Sequence, residues 1–331
     1  MLNKKTKYIL SALAVMVAVF GYAHLSSAEV LPEPVSLNVS PLSPSPGENV
    51  SVIASTPTLD KDTAVFTWIV DGKTRSDLSG QGKDSFVYTA GGVGSISRIL
   101  VKISSPAITT SEAEATVYVE DLALTWQANT YVPKWYKGKA LPVPGSIISF
   151  VALPRFILGG AGLRPESLIY RWTLDGEQKL AGLGKNVFRV QTSELPNSAY
   201  RVGVVVEDSS KVIHKEEETI VTLVLPELVV YPATPLGGAE IRQAASDLLA
   251  TARGLLDLVA EPFFFSVSSK NDLGFNWTIA DNPVQGQPRN PYLLTVDTGS
   301  QPTGSIPISV TSRDLVNLEM YAVKNFNLTV R

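Results

Sequence analysis

Three short blocks of one kind govern what this chain can fold into: Phe66-Thr67-Trp68-Ile69-Val70, Tyr170-Arg171-Trp172-Thr173-Leu174 and Phe275-Asn276-Trp277-Thr278-Ile279. Each alternates along the chain with period two, the pattern of a half-buried β-strand. A tryptophan recurring at the same place in such a strand is a packing position, so Trp68, Trp172 and Trp277 are expected as structural core rather than ligand platforms. The surroundings repeat too. Asp71-Gly72 and Asp175-Gly176 follow the first two blocks as tight-turn dipeptides, and Gly80-Gln81-Gly82-Lys83 is answered by Gly182-Leu183-Gly184-Lys185. The third copy substitutes Ala280-Asp281-Asn282 and Gly286-Gln287-Pro288-Arg289. Self-similarity at a spacing of ~100 residues implies homologous domains in series, not a short-period solenoid.

Around the first block, Pro46-Gly47-Glu48 makes a turn, and Asn49–Ala54, Ala64–Val70, Ser85–Thr89, Ile96–Ile103 and Ala113–Val119 alternate between turn signals. That density of short strands predicts an antiparallel sandwich. The fold class expected is all-β: three tandem Ig-like antiparallel β-sandwiches over 35–120, 121–226 and 227–331. A Pro-rich leader, 29–34, and a hydrophobic helix within 1–28 precede them. One short helix is expected in the third domain, because Ile241, Ala244, Ala245, Leu248, Leu249 and Ala252 fall at helical spacing. Gly238 starts it and Gly254 offers a C-cap.

The Pro-Gly turn before the second strand, the aromatic-x-Trp block and the Asp-Gly turn resemble the tandem immunoglobulin-like and PKD-like domains of bacterial surface proteins. The resemblance runs from 35 to 331 and implies a fold, not an activity. Tyr136-Lys137-Gly138-Lys139 and Glu261-Pro262-Phe263-Phe264-Phe265 look like stretches of exported multi-domain proteins from uncultivated bacteria, a likeness that implies no reaction.

Location is legible at the start of the chain. Lys4, Lys5 and Lys7 precede an uncharged run from Tyr8 to Ala28, and Ser26-Ser27-Ala28 supplies the small residues of a cleavage site. This describes a secretory signal. Read on to Leu25, the apolar stretch also suits an uncleaved anchor, so the chain is expected to be exported, either released or tethered to a membrane by its N-terminus. Loss of 1–28 removes those three lysines and no acid, taking the net charge from −3 to −6. A mildly acidic chain has no electrostatic footprint for nucleic acid. There is no cysteine, and one of the two histidines, His24, lies in the signal. That excludes disulfides, thiol catalysis and Cys-zinc sites and leaves His214 alone for any histidine chemistry.

Enzyme signals are poor. Gly80-x-Gly82 and Gly182-x-Gly184 sit in turns between strands, and neither Gly-x-Ser-x-Gly nor His-Glu-x-x-His occurs. No cofactor is expected. Asp60 with Asp62, and Glu216 to Glu218, read as solvated acidic turns rather than calcium sites. The best surface candidate is the stretch after Trp126, where Tyr131, Lys134, Trp135, Tyr136, Lys137 and Lys139 mix aromatics with ammonium groups. Such a loop can stack on sugar rings or meet a protein partner. The competing reading is that its rings lid the sandwich edge or fill the junction with domain one. The Phe263-Phe264-Phe265 run cannot point one way from a single strand, so at least one ring is expected exposed or at a domain interface. The function expected is a non-enzymatic extracytoplasmic structural or interaction protein: a spacer, an adhesion module or a subunit of an envelope or pilus-type assembly. Its partner would be an envelope or surface protein. The alternative is a carbohydrate- or peptidoglycan-binding module using the loop 131–139.

Overall fold

A computed structural model describes residues 35–331, apart from 57–59, 106–107, 235–237, 251–253, 300 and 302. The signal or anchor and the leader 29–34 lie outside the described residues. The chain divides after Val119 into two compact units. The first holds β1 (Ser36–Ser40), β2 (Asn49–Ser55), β3 (Val65–Val70), β4 (Lys73–Thr74), β5 (Gly80–Gln81), β6 (Ser85–Thr89), β7 (Ile96–Ser105) and β8 (Ile108–Tyr118). One sheet is ordered β1-β2-β6 and the facing one β4-β3-β7-β8, with β5 also on β3. Val50, Val52, Phe66, Trp68, Ile99 and Val101 fill the space between.

The second unit holds two more such sandwiches. The earlier comprises β9 (Asp121–Ala128), β10 (Ile147–Arg155), β11 (Ile157–Leu158), β12 (Ala161–Gly162), β13 (Ile169–Leu174), β14 (Glu177–Leu183), β15 (Val187–Gln191), β16 (Ala199–Glu207) and β17 (His214–Thr222). Its sheets run β15-β10-β9 and β14-β13-β16-β17. Glu216 to Glu218 are therefore part of β17, not of an acidic turn. The later sandwich comprises β18 (Glu227–Thr234), β19 (Gly238–Ala239), β20 (Asp247–Ala250), β21 (Leu255–Phe263), β22 (Leu273–Ile279), β23 (Asn282–Val284), β24 (Leu293–Asp297), β25 (Gly304–Asp314) and β26 (Tyr321–Val330). Its sheets run β19-β18-β21-β24 and β20-β26-β25-β22-β23.

The repeated blocks are β3, β13 and β22. Trp68 and Trp172 are fully buried and Trp277 nearly so. A buried indole must place its N–H, because an unpaired donor in an apolar core costs ~1–3 kcal/mol. All three place it alike: Trp68 Nε1 donates to the Lys83 carbonyl (2.9 Å), Trp172 to Lys185 (2.7 Å) and Trp277 to Pro291 (3.0 Å). The Gly-x-Gly-Lys turns exist to present that carbonyl. Gly184 has a left-handed backbone (φ +66°), and a Cβ there would lie 3.3 Å from the Glu166 carbonyl oxygen. The turn after each block is also shared. Asp71-Gly72 and Asp175-Gly176 have positive φ at both positions, and the aspartates accept the Arg98 and Arg201 N–H groups across the sheet. In the third copy Ala280 (φ 48°) and Asp281 (φ 63°) make the same turn with residues poorly suited to it.

The helix expected at 239–253 is not there: no α-helix occurs among the described residues. Residues 239–250 instead cover part of two sheet edges of the last sandwich. The Ala245 N–H donates to the Val230 carbonyl of β18, the Asn327 N–H of β26 donates to Ser246, and β20 then pairs with β26 in parallel. Leu248 points into the core and Leu249 out, at 5 % and 69 % exposure. Unsatisfied backbone groups along two sheet edges outweigh a weak local helical preference.

Truncating the buried indole in the first sandwich by Trp68→Ala is expected to cost ~3–5 kcal/mol, read as a lower urea midpoint with unchanged slope. Replacing Ala280-Asp281 with Asn-Gly is expected to stabilise the last sandwich by ~0.5–1 kcal/mol, since both residues then accept positive φ. Equilibrium denaturation of the full chain measures both.

Candidate functional site: the aromatic and basic loop of the second sandwich

Residues 129–146 connect β9 to β10 and carry every candidate of the sequence reading. Thr130 Oγ1 closes the loop on itself by donating to the Leu141 carbonyl, and Thr192 Oγ1 anchors it to its own sandwich by donating to Val143. Its far side is anchored on the last sandwich. The Tyr131 N–H donates to the Phe265 carbonyl and the Phe264 N–H returns to the Tyr131 carbonyl, both at 2.7 Å. Val143 is completely buried in the last sandwich's core, with Val132, Trp135, Tyr136 and Leu141 packed against it.

The rings go where those bonds lead. Trp135 meets Tyr231 and Phe263 edge-on, each with centroids 5.8 Å apart, and Tyr136 meets Phe263 at 5.4 Å and Phe264 at 6.1 Å. Edge-on aromatic pairs contribute ~0.5–1.5 kcal/mol beyond their buried area. The junction these rings fill is therefore with the third sandwich. Phe263, Phe264 and Phe265 are all buried and continue the unbroken buried run of β21 from Leu258, so both faces of the chain are covered here. Phe264 has a left-handed backbone (φ 64°) just past the end of β21, where the strand gives way to the contacts with Tyr131 and Tyr136.

Charge stays outside. Lys134, Lys137 and Lys139 are exposed, while Tyr131, Trp135 and Tyr136 are half-buried. Lys139 Nζ lies 3.4 Å above the centroid of the Trp126 ring, and partial burial lowers its pKa. No Asp or Glu occurs between Leu122 and Pro165, so this stretch of sequence is basic in an otherwise acidic chain. Burial, then the Glu261 carboxylate, pushes the Tyr131 phenol up to about 12. Glu261 itself is held by Lys270 Nζ at 3.0 Å, which also sits over the Tyr292 ring at 3.7 Å. The geometry places the aromatic rings in the junction and three ammonium groups at its rim; no group of three or more metal-ligating side chains occurs among the described residues.

Two features were not foreseen from the sequence. One is a cleft of about 750 Å³ where the second and third sandwiches meet, lined by Leu225, Pro226, Leu228, Tyr321, Ala322 and Val323 among others. Its only sequence signal is the alternation of β26, which exposes Tyr321 and Val323. The other is Glu120, buried with Oε2 accepting the Ile157 N–H at 2.9 Å. Burial pushes its carboxyl up to about 7, against the pull of that N–H and of the Lys215 ammonium.

No protein-family model and no curated protein matches the sequence. Several solved structures align with most of the chain. The three N-terminal domains of the bacteriophage RB49 Highly Immunogenic Outer Capsid protein align over 90 % of this chain and 99 % of theirs, at 12 % identity and TM-score 0.25. The central fibronectin-III array of RIM-binding protein aligns over 91 % and 97 %, at 13 % identity and TM-score 0.32. Bacteroides ovatus SGBP-B, in complex with a mixed-linkage heptasaccharide, aligns over 90 % and 70 %, at 14 % identity and TM-score 0.22. Superpositions this loose assign no family and transfer no activity.

Because the native fold favours the protonated Glu120, its contribution is full below the ordinary carboxyl range near 4.5 and is lost as pH rises through about 7. Unfolding midpoints are expected to fall between pH 5 and pH 8, and Glu120→Gln is expected to flatten that decline. A slope unchanged by the substitution would assign it to another group.

Proposed function

We propose that the chain is a non-enzymatic extracytoplasmic structural and interaction protein, with Ig-like domains at 35–120, 121–226 and 227–331 acting as a spacer or assembly subunit. The observation that carries this reading is the junction of the last two sandwiches. A connecting loop that places Val143 in its neighbour's core and commits Trp135 and Tyr136 to edge-on contacts joins two domains into one mechanical piece. A spacer needs that property. A flat sugar platform needs the ring faces to be free.

The second reading is a carbohydrate or peptidoglycan ligand at the rim, favoured by the three exposed lysines and the acid-free stretch around them. Calorimetry of the full chain separates the two. Under the structural reading the last two sandwiches melt together, and Trp135→Ala with Tyr136→Ala splits that transition. A transition left single in the variant would remove the loop's structural role. Co-sedimentation with insoluble peptidoglycan, abolished by Lys134→Gln, Lys137→Gln and Lys139→Gln, would favour the glycan reading instead. N-terminal sequencing of the protein from the envelope fraction reports whether the chain is cut after Ala28.

A further inference from the structure

The cleft between the last two sandwiches is bounded by two sheet edges, of β18 and β26, that β19 and β20 cover only in part. Hydrogen-bond parity along β26 is set at both ends: the Asp314 N–H donates to the Met320 carbonyl, while the N–H groups of Asn327 and Arg331 donate outward, to Ser246 and Ala250. Even-numbered residues of β26 therefore bond to β25, and Tyr321, Val323 and Asn325 direct N–H and C=O away from it. The strand β20 covers this edge only from Asn327 onward. On the opposite wall, Val230 and Pro232 accept outward bonds from Ala245 and Glu240, so Leu228 also faces outward, beyond the last of those bonds. The chain thus lays its own strand along half of the edge and leaves the other half open.

The open half is apolar and edged with acid. Leu225, Tyr321 and Val323 are 59 %, 50 % and 47 % exposed, and Leu228 and Ala322 lie deeper. Glu194, Glu227 and Glu319 line the cleft against a single base, Lys324. An edge strand with unpaired backbone groups, alternating apolar side chains and one sign of charge is a template for an added strand. We infer that the outer edge of β26 from Tyr321 to Asn325 receives an extended peptide segment of a partner, apolar at alternate positions and carrying basic residues at its ends. Main-chain bonds to Tyr321, Val323 and Asn325 supply register, the cleft takes every second side chain, and the three glutamates favour Lys or Arg. This surface is separate from the aromatic loop and stands whether that loop binds sugar or only packs.

The test is fluorescence anisotropy of the full chain with a labelled peptide of alternating threonine and valine, capped by a lysine at each end. Saturable binding is expected. N-methylation of alternate residues, which deletes its edge-facing donors, is expected to weaken it about tenfold or more. Val323→Pro removes an outward N–H that makes no bond within the fold and is expected to match that loss with circular dichroism unchanged. Glu194→Gln, Glu227→Gln and Glu319→Gln together, or glutamate in place of the peptide's lysines, are expected to weaken binding severalfold. Absence of binding, or binding indifferent to N-methylation and to Val323→Pro, overturns the inference. So does sedimentation showing that wild type pairs with a second copy through this edge while Val323→Pro remains monomeric.

Discussion

Each sandwich depends on one hydrogen bond, from a buried indole N–H to the carbonyl of a turn in the same sandwich. The indole fills the space between the sheets, and the bond fixes its orientation by tying the Trp strand to a chain segment 14 residues away in the third copy and 15 or 13 in the others. A chain without disulfides has few other ways to tie a turn to its core. The same dependence explains why the turns of the first two copies resemble each other more than their strands do. A strand needs only alternation, which many sequences supply, whereas the turn must bring a particular carbonyl to a particular place. The third copy obtains that carbonyl from Pro291 with a different loop, so the constraint is the acceptor and not the glycines.

Period-two alternation made the sandwiches legible, because it depends only on neighbours along the strand. Asp71-Gly72 and Asp175-Gly176 were legible for the same local reason. The segment 239–253 misled because Ala245 and Leu248 satisfy a helical stripe as readily as they satisfy two contacts made by an extended chain. What decided between them was the demand of β18 and β26 for partners, and that demand is not local.

The candidate loop shows the same division. Its composition announced a special role, and its lysines are at the surface. The destination of its rings was hidden, because Phe263, Phe264 and Phe265 lie more than a hundred residues away and meet them only once both sandwiches are formed. The cleft was further from view, since its walls come from loops of one sandwich and strand edges of another. Sequence reports faces well, edges poorly and junctions least.

Val143 belongs by sequence to one sandwich and by packing to the next. A chain that emerges N-terminus first completes the strands of the earlier sandwich while this loop still lacks its floor. Until Phe263 to Phe265 arrive, Trp135, Tyr136 and Val143 form a greasy, uncovered tab on a nearly finished domain. From the end of β17 at Thr222 to Phe263 the interval corresponds to roughly 40 residues of further synthesis or translocation. The order of emergence thus makes the earlier sandwich wait for the later one, and places the moment of greatest vulnerability to misassociation about two-thirds of the way along the chain rather than at its end.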